Sequence, residues 1–273
     1  MDEIKIAIYF WRAYKVMRNL TNLWIVIFLL FIGTGKIAAQ IPSTRIYDGE
    51  ILAKVKANIK SKEYAPAFTK LMKDADEALQ SKPVSVMDKV IIAGSGDKHD
   101  YTSMGPYWWP DPSKPDGLPY IRKDGVRNPD TTGDYANIDN TINKVVTLGL
   151  AYYFSDNEKY AAKAAELIRI WFLNPETRMN PNLNYAQMIP GHNNNKGRGF
   201  GMIDVYKLIN LLDVVEMMSS STSFTAKDRS DLKQWFNEYK EWIKTSPIAN
   251  EARISENNHG VSFDVQQTTY ALF

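Results

Sequence analysis

Six stretches of this 273-residue chain space their apolar residues three and four apart. No segment between them alternates apolar and polar residues as a half-buried strand would. Ile51, Leu52, Val55 and Ile59, then Phe68, Leu71, Met72, Ala75 and Leu79, mark two helices between positions 48 and 79. Residues 136–154 carry Ile138, Ile142, Val145, Val146 and Leu148 at helical spacing. Residues 157–172 repeat the pattern with Tyr160, Ala164, Leu167, Ile168 and Trp171, and Pro175 ends that run. Residues 203–218 are strongly apolar, and residues 225–244 align Leu232, Trp235, Phe236, Tyr239, Trp242 and Ile243 on one side. Thr225 followed by Asp228 resembles a capping box. Residues 261–273 open a further helix or an extended stretch. This succession of helix pairs predicts an all-α fold, an (α/α) toroid of antiparallel pairs, and argues against Rossmann and (β/α) barrel architectures. The sequence shows no fixed-period repeat and no low-complexity tract.

Hydrophobic residues at 44% and charged residues at 23% are ordinary soluble usage, which excludes wholesale disorder and a polytopic membrane protein. A net charge of +2 is too small a bias to indicate nucleic acid. The absence of cysteine excludes disulfides, thiolate metal sites, cysteine nucleophiles and lipidation at cysteine.

Residues 23–32 (LWIVIFLLFI) are ten uninterrupted apolar residues, preceded by Arg18 and followed by Gly33, Thr34, Gly35 and Ala38-Ala39-Gln40. That order is the one a secretory signal uses, and the run is about half the roughly 20 residues a membrane-spanning helix needs. We expect residues 1–39 to be a signal peptide cleaved after Ala39, with Met17 as the true start, because MRNLTNLW is the usual short basic opening. Cleavage removes Lys5, Arg12, Lys15, Arg18 and Lys36 against Asp2 and Glu3, so the mature 40–273 chain carries a net charge of −1. The expected location is periplasmic or secreted, with no membrane anchor after cleavage.

Two connections, residues 92–134 and 174–201, are too long for plain loops in a compact domain and are the expected seat of function. The first contains Tyr107, Trp108 and Trp109 in a proline-stiffened run. Indoles in such a loop suit the apolar face of a sugar ring, and at least one of the pair is expected to pack the loop instead. Arg122, Lys123 and Arg127 follow, with Arg127 preferred for pairing a carboxylate. The second contributes Tyr185, Gln187, His192 and Arg198. Its alternating Gly197, Gly199 and Gly201 suggest backbone amides turned toward an anion beside the next helix. A third feature, SENNHGVSFDVQ, sets Asn257, Asn258 and His259 together, amides that quench a carboxylate beside an imidazole that handles a proton. The three histidines His99, His192 and His259 lack the spacing of a helical zinc motif, so neither metal nor cofactor is expected.

GPYWWPDP, YAQMIPG, GRGFGMID and NNHGVSFDVQ, in that order, resemble the alginate-lyase superfamily of polysaccharide lyases, including relatives that act on glucuronan. The resemblance covers most of residues 45–273. It implies an (α/α) toroid with an open cleft, export, and cleavage of an acidic uronate polymer by β-elimination. It also implies that Asn258 and His259 neutralise the uronate carboxylate with Arg198 assisting, while a tyrosine serves as base, acid or both. In related enzymes that tyrosine lies well beyond the NNH motif. The sequence stops at Phe273, so the toroid is expected to be incomplete at its C-terminus, and Tyr107, Tyr185 and Tyr270 are the in-chain candidates. Two other readings stay open. A glycoside hydrolase would draw a carboxylate pair from Asp111, Asp130, Asp204 and Asp264. A non-catalytic binder of acidic glycans would use Trp108, Trp109 and Arg127.

Overall fold

A computed structural model describes residues 41–131 and 133–273 of the chain. The expected signal peptide and the Met17 start lie outside the described residues. Eight α-helices are described, and each begins where the local chemistry permits. Asp48 accepts the Glu50 and Ile51 amides to start α1 (Gly49–Ala57), and Pro66 stands in the first turn of α2 (Ala65–Leu79). The longest, α3 (Tyr135–Ser155), stops at Asp156 in the left-handed conformation (φ 55°). Asn157 then caps α4 (Glu158–Ile168), which runs into a π-helical turn, Arg169–Leu173. A 3₁₀ turn, Gly199–Val205, leads to α5 (Leu208–Met217). α6 (Ala226–Thr245) opens with the capping box of Thr225 and Asp228 in full. Ser246 caps α7 (Pro247–Arg253), an element the periodicity does not reveal, and Asn257 caps α8 (Asn258–Leu272). The last segment is therefore helical rather than extended.

The helices bury one core across residues Ile41–Phe273. Trp171, Trp235, Tyr160, Tyr239, Phe172, Phe224 and Phe236 are all fully enclosed there. Each indole keeps its N–H satisfied: Trp171 donates to the Thr141 hydroxyl at 3.0 Å and Trp235 to the Met179 carbonyl at 2.8 Å. Arg169 grips Asp228 through Nε at 2.8 Å and a terminal nitrogen at 2.7 Å, which ties the π turn to the start of α6. With that guanidinium as the chief cause, the Asp228 carboxyl falls to about 2.

The two long connections carry the few strands. β1 (Thr102–Met104) pairs in parallel with β4 (Tyr185–Met188), while β2 (Trp108–Trp109) and β3 (Ile121–Arg122) form a short antiparallel pair. In the β1–β4 register Thr102 faces Tyr185 and Met104 faces Met188. Two residues of β4 thus oppose Ser103 alone, and this bulge turns Gln187 to φ +49°. A buried ion pair of Lys89 and Asp134, 3.2 Å apart, lies beside β1, and Asp134 accepts the Thr102 amide at 2.9 Å. Burial lifts the Asp134 carboxyl to about 6 against the pull of Lys89.

Gly149 sits in mid-α3 where a Cβ would come within 2.0 Å of Val214 Cγ1 on α5. β-Branched valine has little freedom to yield. Gly149→Ala is expected to cost about 1–3 kcal/mol in denaturant unfolding, as overpacking does. Adding Val214→Ala should recover part of that loss, and strict additivity of the two would show that the contact does not limit helix approach.

Candidate active site

The two long connections and the start of α8 enclose a cleft of about 520 Å³. Tyr107 and Trp108 form one wall. Arg122, Arg127 and Arg198 contribute the charge, and Asn257, Asn258 and His259 close the far side. Gln187, Phe200 and Ile203 complete the lining, and none of the lining residues is an aspartate or glutamate. A second chamber of about 370 Å³ adjoins it, sharing Pro106, Arg127, Gln187 and Ile203 and adding Thr131, Tyr135 and Asp204.

The NNHG run gains its position from helix capping. Asn257 Oδ1 accepts the His259 amide at 2.9 Å, so Asn258 and His259 occupy the first two positions of a fifteen-residue helix. Their end of the helix carries the positive pole of its dipole. Gly260 is required because a Cβ there would lie 2.0 Å from the Ser255 carbonyl oxygen.

His259 packs edge-on to Phe200, ring centres 4.4 Å apart, and the Arg198 guanidinium lies 5.0 Å from the centre of the same phenyl ring. Burial, followed by the charge of Arg198, lowers the His259 pKa from its ordinary 6.5. His259 Nδ1 is buried without a hydrogen-bond partner, so a doubly protonated ring would leave a donor stranded there. Both causes favour the neutral imidazole over the charged one.

Arg198 is anchored from behind. Its Nε donates to the Gln187 carbonyl and a terminal nitrogen donates to Gln187 Oε1, both at 3.1 Å. Gln187 Nε2 in turn donates to Asp204 Oδ1 at 2.8 Å. Gly105 leaves room for this arrangement, since a Cβ there would press within 2.8 Å of Trp108 and 2.9 Å of Arg198.

Of the residues expected from sequence, the cleft gathers Tyr107, Trp108, Arg127, Gln187, Arg198, Asn257, Asn258 and His259. Four other candidates lie outside this cleft lining. Tyr185 lines a separate cavity with Asn193, Lys196 and Glu251, while Gln187, two residues on and past the bulge, lines the cleft. Trp109 is the packing member of the indole pair, its N–H on the Val126 carbonyl at 3.0 Å and Lys123 4.7 Å from its ring centre. His192 supports Trp108 edge-on at 5.1 Å and pairs with the Tyr120 carbonyl, so it stands behind the wall. Tyr270 is a fully buried core residue whose hydroxyl donates to Gln266. The glycine amides do not await an anion either. Gly197 donates to the Asn184 carbonyl, Gly199 to the Glu251 carboxylate and Gly201 to the Arg198 carbonyl.

Sequence reasoning gave no site role to Phe200, and it weighed Asp204 only as one of several carboxylates for hydrolysis. Phe200 is 43% exposed, and the sequence signal available for it is a lone phenylalanine between Gly199 and Gly201. Among the described residues no group of three or more His, Asp or Glu side chains is arranged to hold a metal ion.

Arg198→Gln is expected to raise the His259 titration midpoint toward its ordinary value. The return is partial, because burial, the larger cause, remains. Histidine NMR across pH 4–8 reads this directly, and a midpoint that stays put would separate the two groups electrostatically.

Comparison with known proteins places the chain in a family. Residues 85–273 match the family profile described as Alginate lyase. The fold superposes on the crystal structure of an alginate lyase from Bacteroides ovatus with a TM-score of 0.83 at 55% sequence identity, over 85% of this chain and 61% of that one. The chain therefore spans about three fifths of the length of that structure. No curated protein matches it. A family match over more than half the chain, joined to a fold shared at this identity, establishes that the chain belongs to the alginate lyase family.

Proposed function

We propose that this chain cleaves a uronic-acid polysaccharide by β-elimination, with Asn258, His259 and Arg198 receiving the uronate carboxylate. The observation that carries the reading is the meeting of these three side chains at the N-terminus of α8, in a cleft lined by three arginines and no carboxylate. Removing the proton at C5 of a uronate builds negative charge on the adjacent carboxylate. Fixed donors aimed at that carboxylate stabilise the carbanion in place of solvent. Arg198 supplies charge, the Asn258 amide supplies an N–H, and the neutral His259 donates from Nε2. The C5 proton leaves to a base, the electron pair forms the C4–C5 double bond, and the bond to the leaving O4 breaks as that oxygen is protonated.

Tyr107 is the tyrosine that lines this cleft, and the proposal gives it the proton steps. Trp108 offers the sugar a flat apolar wall, and the adjoining chamber beyond Arg127 takes the neighbouring sugar. A hydrolase fits less well, because Asp111, Asp130 and Asp264 stand outside the cleft lining and Asp204 is committed to three hydrogen bonds.

The test is ultraviolet absorbance of unsaturated product ends on alginate, glucuronan and hyaluronan, each with the unaltered chain and two variants. His259→Ala and Tyr107→Phe are each expected to lower turnover by about 10²–10⁴-fold while retaining polymer binding. Full turnover in His259→Ala removes the imidazole from the mechanism, and full turnover in Tyr107→Phe assigns the proton steps to another group. Polymer binding by the unaltered chain with no new double bond supports the binder instead.

Export to the periplasm or beyond belongs to the same proposal, supported by the leader pattern of residues 1–39. The exported product is expected to begin at Gln40 on amino-terminal sequencing, and a native product beginning at Met1 overturns it.

A further inference from the structure

We propose that Asp204 is a positioning residue for Arg198, acting through Gln187 and Ser103 to aim the guanidinium at the uronate carboxylate. This rests on the reading of the cleft given above. Asp204 is 8% exposed, and its carboxylate accepts from Tyr101 Oη at 3.0 Å, Ser103 Oγ at 2.5 Å and Gln187 Nε2 at 2.8 Å.

The decisive feature is the polarity of the Gln187 amide. A carboxylate accepts only and a guanidinium donates only, so an amide between them has one workable orientation, Nε2 toward Asp204 and Oε1 toward Arg198. Replacing the carboxylate removes that rule and lets the amide turn its nitrogen toward the arginine. The backbone is held by the same group. Ser103 donates to Asp204 and accepts the Gln187 amide N–H at 2.7 Å, which pins the bulge at φ +49° and so places the carbonyl that receives Arg198 Nε. Both side-chain attachments of Arg198 to β4 therefore trace back to one buried carboxylate, while its backbone N–H holds the Ala186 carbonyl independently.

Asp204→Asn tests this with a readout whose sign separates positioning from simple charge removal. Deleting a negative charge can by itself only lower a histidine titration midpoint or leave it unchanged. Releasing Arg198 from its place would raise it, because that guanidinium is one of the two causes that depress it. The expected result is a raised His259 midpoint by NMR, together with a roughly tenfold weaker affinity for mannuronate or glucuronate oligomers. In an Arg198→Gln background the same change should add no further loss of affinity.

Gln187→Leu, which cuts the side-chain link and keeps Asp204 with its Tyr101 and Ser103 bonds, should give the same signs if Asp204→Asn folds poorly. A lowered or unchanged midpoint with unchanged affinity, or full additivity with Arg198→Gln, overturns the proposal. The titration and the coupling are measured without turnover. A failure of elimination in the unaltered chain therefore counts against the lyase reading and leaves the role of Asp204 separately decidable.

Discussion

A carboxylate taken largely out of water must be met by donors or its burial becomes prohibitive, and the way Asp204 meets this condition organises the functional end of the molecule. Its donors come from both long connections: Tyr101 and Ser103 from the first and Gln187 from the second. Asp204 itself stands in the 3₁₀ turn just before α5. Burial raises its pKa while the three hydrogen bonds and Arg198 oppose that rise. Two loops with little regular structure are thereby fastened to the helical body at one point, and the β1–β4 pairing with its bulge is the local form this fastening takes.

The cleft obtains its character locally, because the chain as a whole is nearly neutral. Arg122, Arg127 and Arg198 face it together with the start of α8, and the Arg122 charge opposes that of the half-buried Arg198, whose pKa burial lowers first. That repulsion is partly offset, because Arg122 pairs with Asp124 at 2.9 Å and the charges of Asp204 and Glu251 act on Arg198 in the opposite sense. An anionic polymer of the kind proposed would offset it further. A neutral His259 fits the same design. In the proposed mechanism it would offer a hydrogen bond without adding a fourth positive charge.

The helices were legible in the sequence because burial of one face imposes a three-and-four spacing that no other structure produces. Capping was legible for the same reason of local chemistry, as at Thr225 and Asp228. α7 was missed because seven residues are too few to display a period, though Ser246-Pro247 was the available start signal. The sequence grouped Asn257, Asn258, His259 and Arg198 as candidates through residue type and family resemblance, and the structure brings them to one cleft. Tyr185 and Gln187 could not be told apart. They are two positions apart, and a regular strand would point both to the same face, but a bulge has no residue signature here and sends them to different cavities. Tyr270 was equally opaque, since a buried tyrosine with a satisfied hydroxyl and a catalytic one share the same letter.

The glycines show why motif and chemistry are hard to separate in this chain. An added Cβ at Gly197 or Gly201 would strike the backbone of Ala186 at 2.6 and 2.7 Å, and one at Gly199 would meet the Ala252 amide nitrogen at 2.6 Å. Their alternation therefore records the seating of the 197–201 segment between β4 and α7, with its amides already spent on protein acceptors. Gly260 makes the same allowance for α8 against Ser255. Arg198, Phe200 and His259 do the facing, and the glycines beside them bring three backbones close enough for those side chains to share one space. A motif of this kind reads as catalytic because the packing that creates the site and the groups that would act in it occupy alternate positions of the same short runs.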